Sequence, residues 1–246
     1  MDTERTTQDR QAKLAAYDAL RESRPDMFVN PPGAAYEILL DRADQNRAYE
    51  SMAQRLTARG LPADYADIGV VHDDLYLTLV RDAVRFRTGD LGTYIRVVPR
   101  GDADGAAVLP VLADGRIVLL RQFRHASRTW HWEIPRGFGD PGERGAETAR
   151  RELFEELGVP VSELVHLGPL HSDSGLVAGT DQLYLARLAG TGIASDPGPG
   201  PHAEGIDAYR AVSPAELRDL LADRRITDAY TLAAYALATV RGLLTG

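Results

Sequence analysis

The chain has 246 residues, 44% of them hydrophobic and 26% charged, with a net charge of −8 and no cysteine. That is ordinary globular composition for one or two domains. It excludes a disulfide framework and a thiolate zinc site, and the acidic balance argues against a general nucleic-acid surface. No apolar run approaches the ~18 residues that span a bilayer, and the polar start MDTERTTQDRQAK is no secretory signal. The expectation is a cytoplasmic protein with neither a membrane nor a nucleic acid as partner.

Residues 1–70 read as largely helical. Ala12, Ala15, Ala16 and Leu20 recur at helical intervals within Asp9–Ser23. A loop follows at Asn30-Pro31-Pro32-Gly33, and a second helix over much of Arg42–Arg59 stops at Gly60. The period then shortens. Tyr76–Phe86 and Leu91–Val98 read as a hairpin across Thr88-Gly89-Asp90, and Ala106–Leu112 and Arg116–Gln122 as a second pair across Ala113-Asp114-Gly115. Trp130–Pro135 is a short strand. Leu164–His171, Asp181–Leu188 and Ala208–Val212 are further strands, and Ser195–His202 is a Gly/Pro loop without regular structure. Ser213 caps a helix over Pro214–Leu221, with proline at the first helical position, and a last helix covers about Asp228–Leu244. The layout predicts an α/β (α+β) fold with a mixed sheet packed between helices. Its expected divisions are a helical N-terminal extension (1–70), a β-hairpin region and possible dimerisation element (71–100), and a main domain (101–246).

The most informative run is GFGDPGERGAETARRELFEELGV, Gly137–Val159. Gly145–Leu157 favours helix, and Gly158 and Pro160 stop it. At 100° per residue Ala146, Ala149, Leu153 and Leu157 share one face, while Glu152, Glu155 and Glu156 project from a more polar one. Glu152 and Glu156 are four residues apart, so their charges repel unless something positive lies between them. Hard divalent cations take oxygen ligands and retain substrate phosphates in their shell. The glycines around Pro141 permit a tight turn or close approach of backbone to a ligand.

The run fits G-x5-E-x7-R-E-U-x-E-E-x-G-U, U being a bulky aliphatic, at nine fixed positions: Gly137, Glu143, Arg151, Glu152, Leu153, Glu155, Glu156, Gly158 and Val159. In this it resembles the Nudix hydrolases. The resemblance implies their α/β/α sandwich, here with an N-terminal extension. It also implies metal ligation by Glu152, Glu155, Glu156 and the backbone carbonyl of Arg136, with Mg2+ or Mn2+ as cofactor, and an orienting role for Arg151. The segment VLLRQFRHASRTWHWEIPRGF, Val118–Phe138, further resembles the ADP-ribose pyrophosphatase branch, with its R-Q-[FY]-R strand and W-E-[LI]-P-x-G turn. That branch implies substrate binding by Arg121, Arg124, Glu133 and Arg136, with Arg121 and Arg124 gripping the pyrophosphate. It also implies a homodimer built through the N-terminal part. His202–Leu217 resembles the run that carries the branch's general base, which places Glu204 in that role beside Glu155 and Arg151. The chain departs from the branch at Ser174, where a proline is usual, at Gly179-Thr180, and at His202.

The implied reaction is hydrolysis of a nucleoside diphosphate sugar, ADP-ribose to AMP and ribose 5-phosphate. The alternatives are the same chemistry on another nucleotide sugar such as GDP-mannose, and a non-catalytic nucleotide-sensing module.

Overall fold

The computed structural model describes residues 2–99 and 103–244, with side chains from residue 7 onward. It divides into two compact units, Met1–Arg100 with Asp173–Ala178, and Gly101–Ser172 with Gly179–Gly246. No helix among the described residues is long and apolar enough to cross a membrane.

The first unit contains α1 (Asp2–Ser23), β1 (Tyr36–Ile38), α2 (Arg42–Thr57), β2 (Gly69–Asp73), β3 (Leu77–Phe86) and β4 (Leu91–Pro99). β3 is its axis: β4 pairs along one edge, from Leu77↔Pro99 to Arg85↔Leu91, and β1 and β2 share the other. The short β1 and β2 were not anticipated; each is too brief to show a period of two, and pairing with β3 makes them strands. Tyr17 of α1 donates to Asp82 at 2.6 Å, and Arg96 donates to the same carboxylate at 2.7 and 3.1 Å. This buried acid is therefore fully paired, as burial requires. Asp173–Ala178 joins this unit because Val97 and Ala178 exchange backbone hydrogen bonds with Leu176 and Val97, at 2.8 and 2.9 Å.

The second unit contains β5 (Gly105–Val111), β6 (Ile117–Arg124), β7 (Thr129–Glu133), β8 (Arg136–Gly137), α3 (Gly145–Leu157), β9 (Val161–Leu170), β10 (Asp181–Leu188), α4 (Pro199–Ala203), β11 (Ile206–Val212), α5 (Pro214–Ala222) and α6 (Ala229–Val240). Its sheet runs β11-β6-β5-β10-β9, with β5 and β10 parallel and the other pairs antiparallel. Alternation along β5 feeds both faces. Ala106 and Val108 pack with Ala149, Leu153 and Leu157 of α3. Ala107, Leu109 and Val111 pack with Leu217 and Leu220 of α5 and Ala234 and Ala238 of α6. The expected mixed sheet between helical layers is the observed one.

β5 and β6 pair only at Val111↔Ile117 and then diverge. The fork is filled by β7, which pairs with β6, and β8, which pairs with β5. Between them Pro135 accepts from Val108 N–H at 2.9 Å. The fork thus delivers Glu133, Arg136 and Gly137 to one place at the sheet end.

Two local expectations are corrected. Ser195–His202, expected as loop throughout, enters a short helix in its second half, Pro199–Ala203, which starts on proline. On α3 the expected inward Ala146 is exposed, and Gly145 and Thr148 are buried instead. Gly145 packs against Gln182, so closely that a Cβ there would lie 2.8 Å from its Cγ; this contact sets the rotation of the helix.

Candidate active site

The rotation of α3 decides which carboxylates face inward. Glu152 and Glu156 are 8% and 4% exposed, whereas Glu155 is on the open surface. The acidic stripe is therefore split rather than presented as one polar face. Glu152 lies directly over Gly137, where any Cβ would fall inside its carboxylate. That is the physical reason for glycine at this position. G137A is expected to displace the carboxylate by about an ångström and to lower kcat/KM by roughly 100-fold, as steady-state kinetics would show; unchanged kinetics would mean that Glu152 is not needed where it sits.

Arg151 ties the helix to the loop before it. Its Nε donates to Glu143 Oε1 at 3.0 Å, and its Nη1 to Glu152 at 2.8 Å and Glu155 at 2.9 Å. Its Nη2 donates to the Phe138 carbonyl at 2.8 Å and to Glu143 Oε2 at 3.0 Å. Every N–H of the guanidinium is used. Glu143, held by Arg151, the Asp140 N–H and Thr148, has its carboxyl lowered to about 2. This loop-locking role of Glu143 was not foreseen, although the motif fixes its position.

Deeper in, Glu156 Oε2 is buried with no hydrogen-bond partner, as is Glu133 Oε2. Burial first, then the charges of Glu152 and Glu204, push the Glu156 carboxyl up to about 9. Burial also raises Glu152, against the opposing pull of Arg151. Glu204 ends α4 and is close enough to raise both α3 carboxyls. Its carbonyl accepts from Gln122 Nε2 at 2.9 Å, and Phe123 N–H donates to the Gly205 carbonyl at 2.9 Å, fixing the turn to β6. Tyr209 of β11 donates to the Glu156 carbonyl. Arg124 donates to Glu133, which is 1% exposed.

Among the described residues no three acidic or imidazole side chains are gathered so as to hold a metal by themselves. The observed groups are the two buried carboxylates, with Glu152 set against Gly137 of β8. Unpaired carboxylate oxygens in a buried setting suit a hard cation that completes its shell with water and phosphate.

The structure separates the predicted arginines. On β6, Val118, Leu120, Gln122 and Arg124 alternate toward α3, and Ile117, Leu119 and Arg121 toward α5 and α6. Arg121, expected beside Arg124 on the pyrophosphate, thus lies on the other face. There it pairs with Asp207 at 2.7 Å and packs over Trp130 at 5.1 Å. A bulge in β11 supplies Asp207, which lies in the base-bearing run, but whose pairing with Arg121 the sequence does not reveal. Arg136 pairs with Ala107, so its side chain also leaves on the α6 face, while Gly137 faces Glu152.

A family model described as NUDIX domain matches residues 102–235. The chain is 35% identical over 119 residues to a CMP-5'-(N-acetyl-N-hydroxy-3-aminopropyl)phosphonate hydrolase of Streptomyces rubellomurinus, covering 48% of this chain and 55% of that protein. It is 32% identical over 138 residues to an ADP-ribose pyrophosphatase of Mycobacterium tuberculosis, covering 56% and 63%. A crystal structure of an ADP compounds hydrolase superposes with a TM-score of 0.56 at 25% identity, covering 71% of this chain and 90% of that one. The chain thus spans a little over half the length of these two curated relatives.

Proposed function

The chain belongs to the Nudix family, and from that premise we propose that it hydrolyses the pyrophosphate bond of a nucleoside diphosphate sugar with the help of a divalent cation. ADP-ribose is the best-supported substrate, giving AMP and ribose 5-phosphate. The observation that carries this reading is the buried pair Glu152 and Glu156, one oxygen of it unpartnered, beside Gly137 and within electrostatic reach of Glu204. ADP-ribose is favoured by the likeness to the Mycobacterium ADP-ribose pyrophosphatase and by the R-Q-F-R and W-E-I-P-R-G segments.

Glu152, Glu156 and the Arg136 carbonyl are the groups that would hold Mg2+ or Mn2+. Such an ion, when bound, neutralises charge that builds on the phosphoryl oxygens. Arg151 keeps Glu152 pointed inward and holds Glu155 beside it. Arg124, set by Glu133, offers a guanidinium to the pyrophosphate. Glu204 takes the proton of the attacking water as that water's oxygen bonds to phosphorus and the bridging P–O bond breaks. Arg121, its guanidinium held by both oxygens of Asp207, is not free for the phosphate.

Two measurements test it. A panel of ADP-ribose, GDP-mannose, CMP conjugates, NADH and dinucleoside polyphosphates, each with Mg2+, should show the highest kcat/KM for ADP-ribose; a faster nucleotide sugar would move the substrate while keeping the chemistry. E204Q should lower kcat by about 10²-fold or more with little change in KM. A change confined to KM would place the base elsewhere.

A further inference from the structure

Arg136 differs from the neighbouring arginines in how it is held. Its guanidinium lies 3.7 Å from Glu133 and 3.6 Å from Asp228, beyond hydrogen-bond distance of either carboxylate. Its Cζ is 4.4 Å from the centre of the Tyr230 ring. Its Nε is buried without a partner, and its side chain makes no hydrogen bond among the described residues. The holders, by contrast, are fixed. Asp228 Oδ2 accepts from the Thr231 N–H and hydroxyl, both at 2.8 Å, capping α6. The Tyr230 hydroxyl donates to Asp181. A rigid ring and a rigid carboxylate therefore hold, from the α6 face, a guanidinium that reaches Glu133 Oε1, the same oxygen that accepts from Arg124 of the α3 face, and whose Nη donors make no hydrogen bond. A planar fork of free N–H groups matches the paired oxygens of a phosphate.

We propose that Asp228 and Tyr230, at the start of α6, are positioning residues for anion recognition: they hold the Arg136 guanidinium so that its free donors meet a phosphate oxygen of the substrate. This rests on the pyrophosphate reading above. The ring attracts the cation through its face, and the carboxylate fixes its direction. Neither side chain needs to touch substrate.

The charge of Asp228 makes the test sharp. If it acted only as a nearby negative charge, its removal would tighten anion binding; if it positions Arg136, removal weakens it. D228N keeps an oxygen to cap α6, and Y230F keeps the ring, whereas Y230L loses it. The readouts are KM and kcat for ADP-ribose with Mg2+, the calorimetric Kd of AMP, and the thermal midpoint. D228N and Y230L should each raise KM and the AMP Kd about tenfold, the size expected on losing an aimed cation. In both, kcat should change less than about threefold and the midpoint should hold. Y230F should stay within about twofold of the parent. AMP binding by D228N as tight as the parent's, or tighter, overturns the proposal, as does an equal loss in Y230F and Y230L. A parent protein that neither binds AMP nor turns over ADP-ribose overturns the underlying reading instead, a distinct result. Should Y230L fail to fold, D228N and Y230F decide the matter between them.

Discussion

Replacing Glu156 by glutamine is expected to lower kcat by about 10³-fold or more, the loss of several kcal/mol of transition-state stabilisation. The same change should leave the metal-free protein at least as stable as the parent. Glu156 is 4% exposed and one of its oxygens has no partner, so the carboxylate is a burden on the fold unless a cation meets it. The sign follows from its titration. Burial beside Glu152 and Glu204 raises its carboxyl from 4.5 to about 9. The folded chain therefore binds the proton more tightly than the unfolded chain. The stability linked to that proton is complete below pH about 4.5 and is lost as pH rises toward about 9. Chelated parent protein should accordingly lose thermal midpoint across this window, and E156Q should lose less. An active E156Q, or one that unfolds at neutral pH, would contradict the assignment.

R151K is expected to lower kcat roughly 100-fold, because the misplaced group is Glu152 rather than the substrate. Arg151 joins Glu143, Glu152, Glu155 and the Phe138 carbonyl through every N–H it has. A lysine ammonium keeps the charge but has three donors at one point, which cannot span these acceptors. Losing part of this charge-assisted network should also cost roughly 1–3 kcal/mol, read from the urea midpoint. A near-normal rate with lysine would show that positive charge alone suffices.

The α3 helix, the stop at Gly158 and the mixed sheet were legible because each has a local cause: a period, a positive φ of 66°, or alternating apolar residues. The carboxylates could be named as a group. Which of them turn inward could not, since the Gly145–Gln182 contact sets the helix rotation across 37 residues of sequence. The same limit applies to the arginines. Arg121 and Arg124 look equivalent in R-Q-F-R, yet the pleat sends them to opposite faces, and only the register of β6 against β5 and β11 says which face meets α3. Asp228 and Tyr230 carry no motif, and Asp207 sits in a matched run that says nothing of its partner. They matter through partners 86 to 94 residues away: Asp207 with Arg121, Asp228 and Tyr230 with Arg136. Glu204 lay within reach of a motif comparison because its neighbours form a recognisable run.

The proposed reaction requires a cation held at Glu152 and Glu156 for cleavage of the phosphoanhydride. Its most direct test is the rate of ADP-ribose hydrolysis against free Mn2+ in buffered chelator, with electron paramagnetic resonance counting bound Mn2+ in the same samples. AMP and ribose 5-phosphate should appear in equal amounts, the rate should rise in step with bound Mn2+ and vanish in excess chelator, and E156Q should show neither the rate nor the binding. Hydrolysis that persists unchanged in excess chelator, or Mn2+ binding left intact in E156Q, would contradict it.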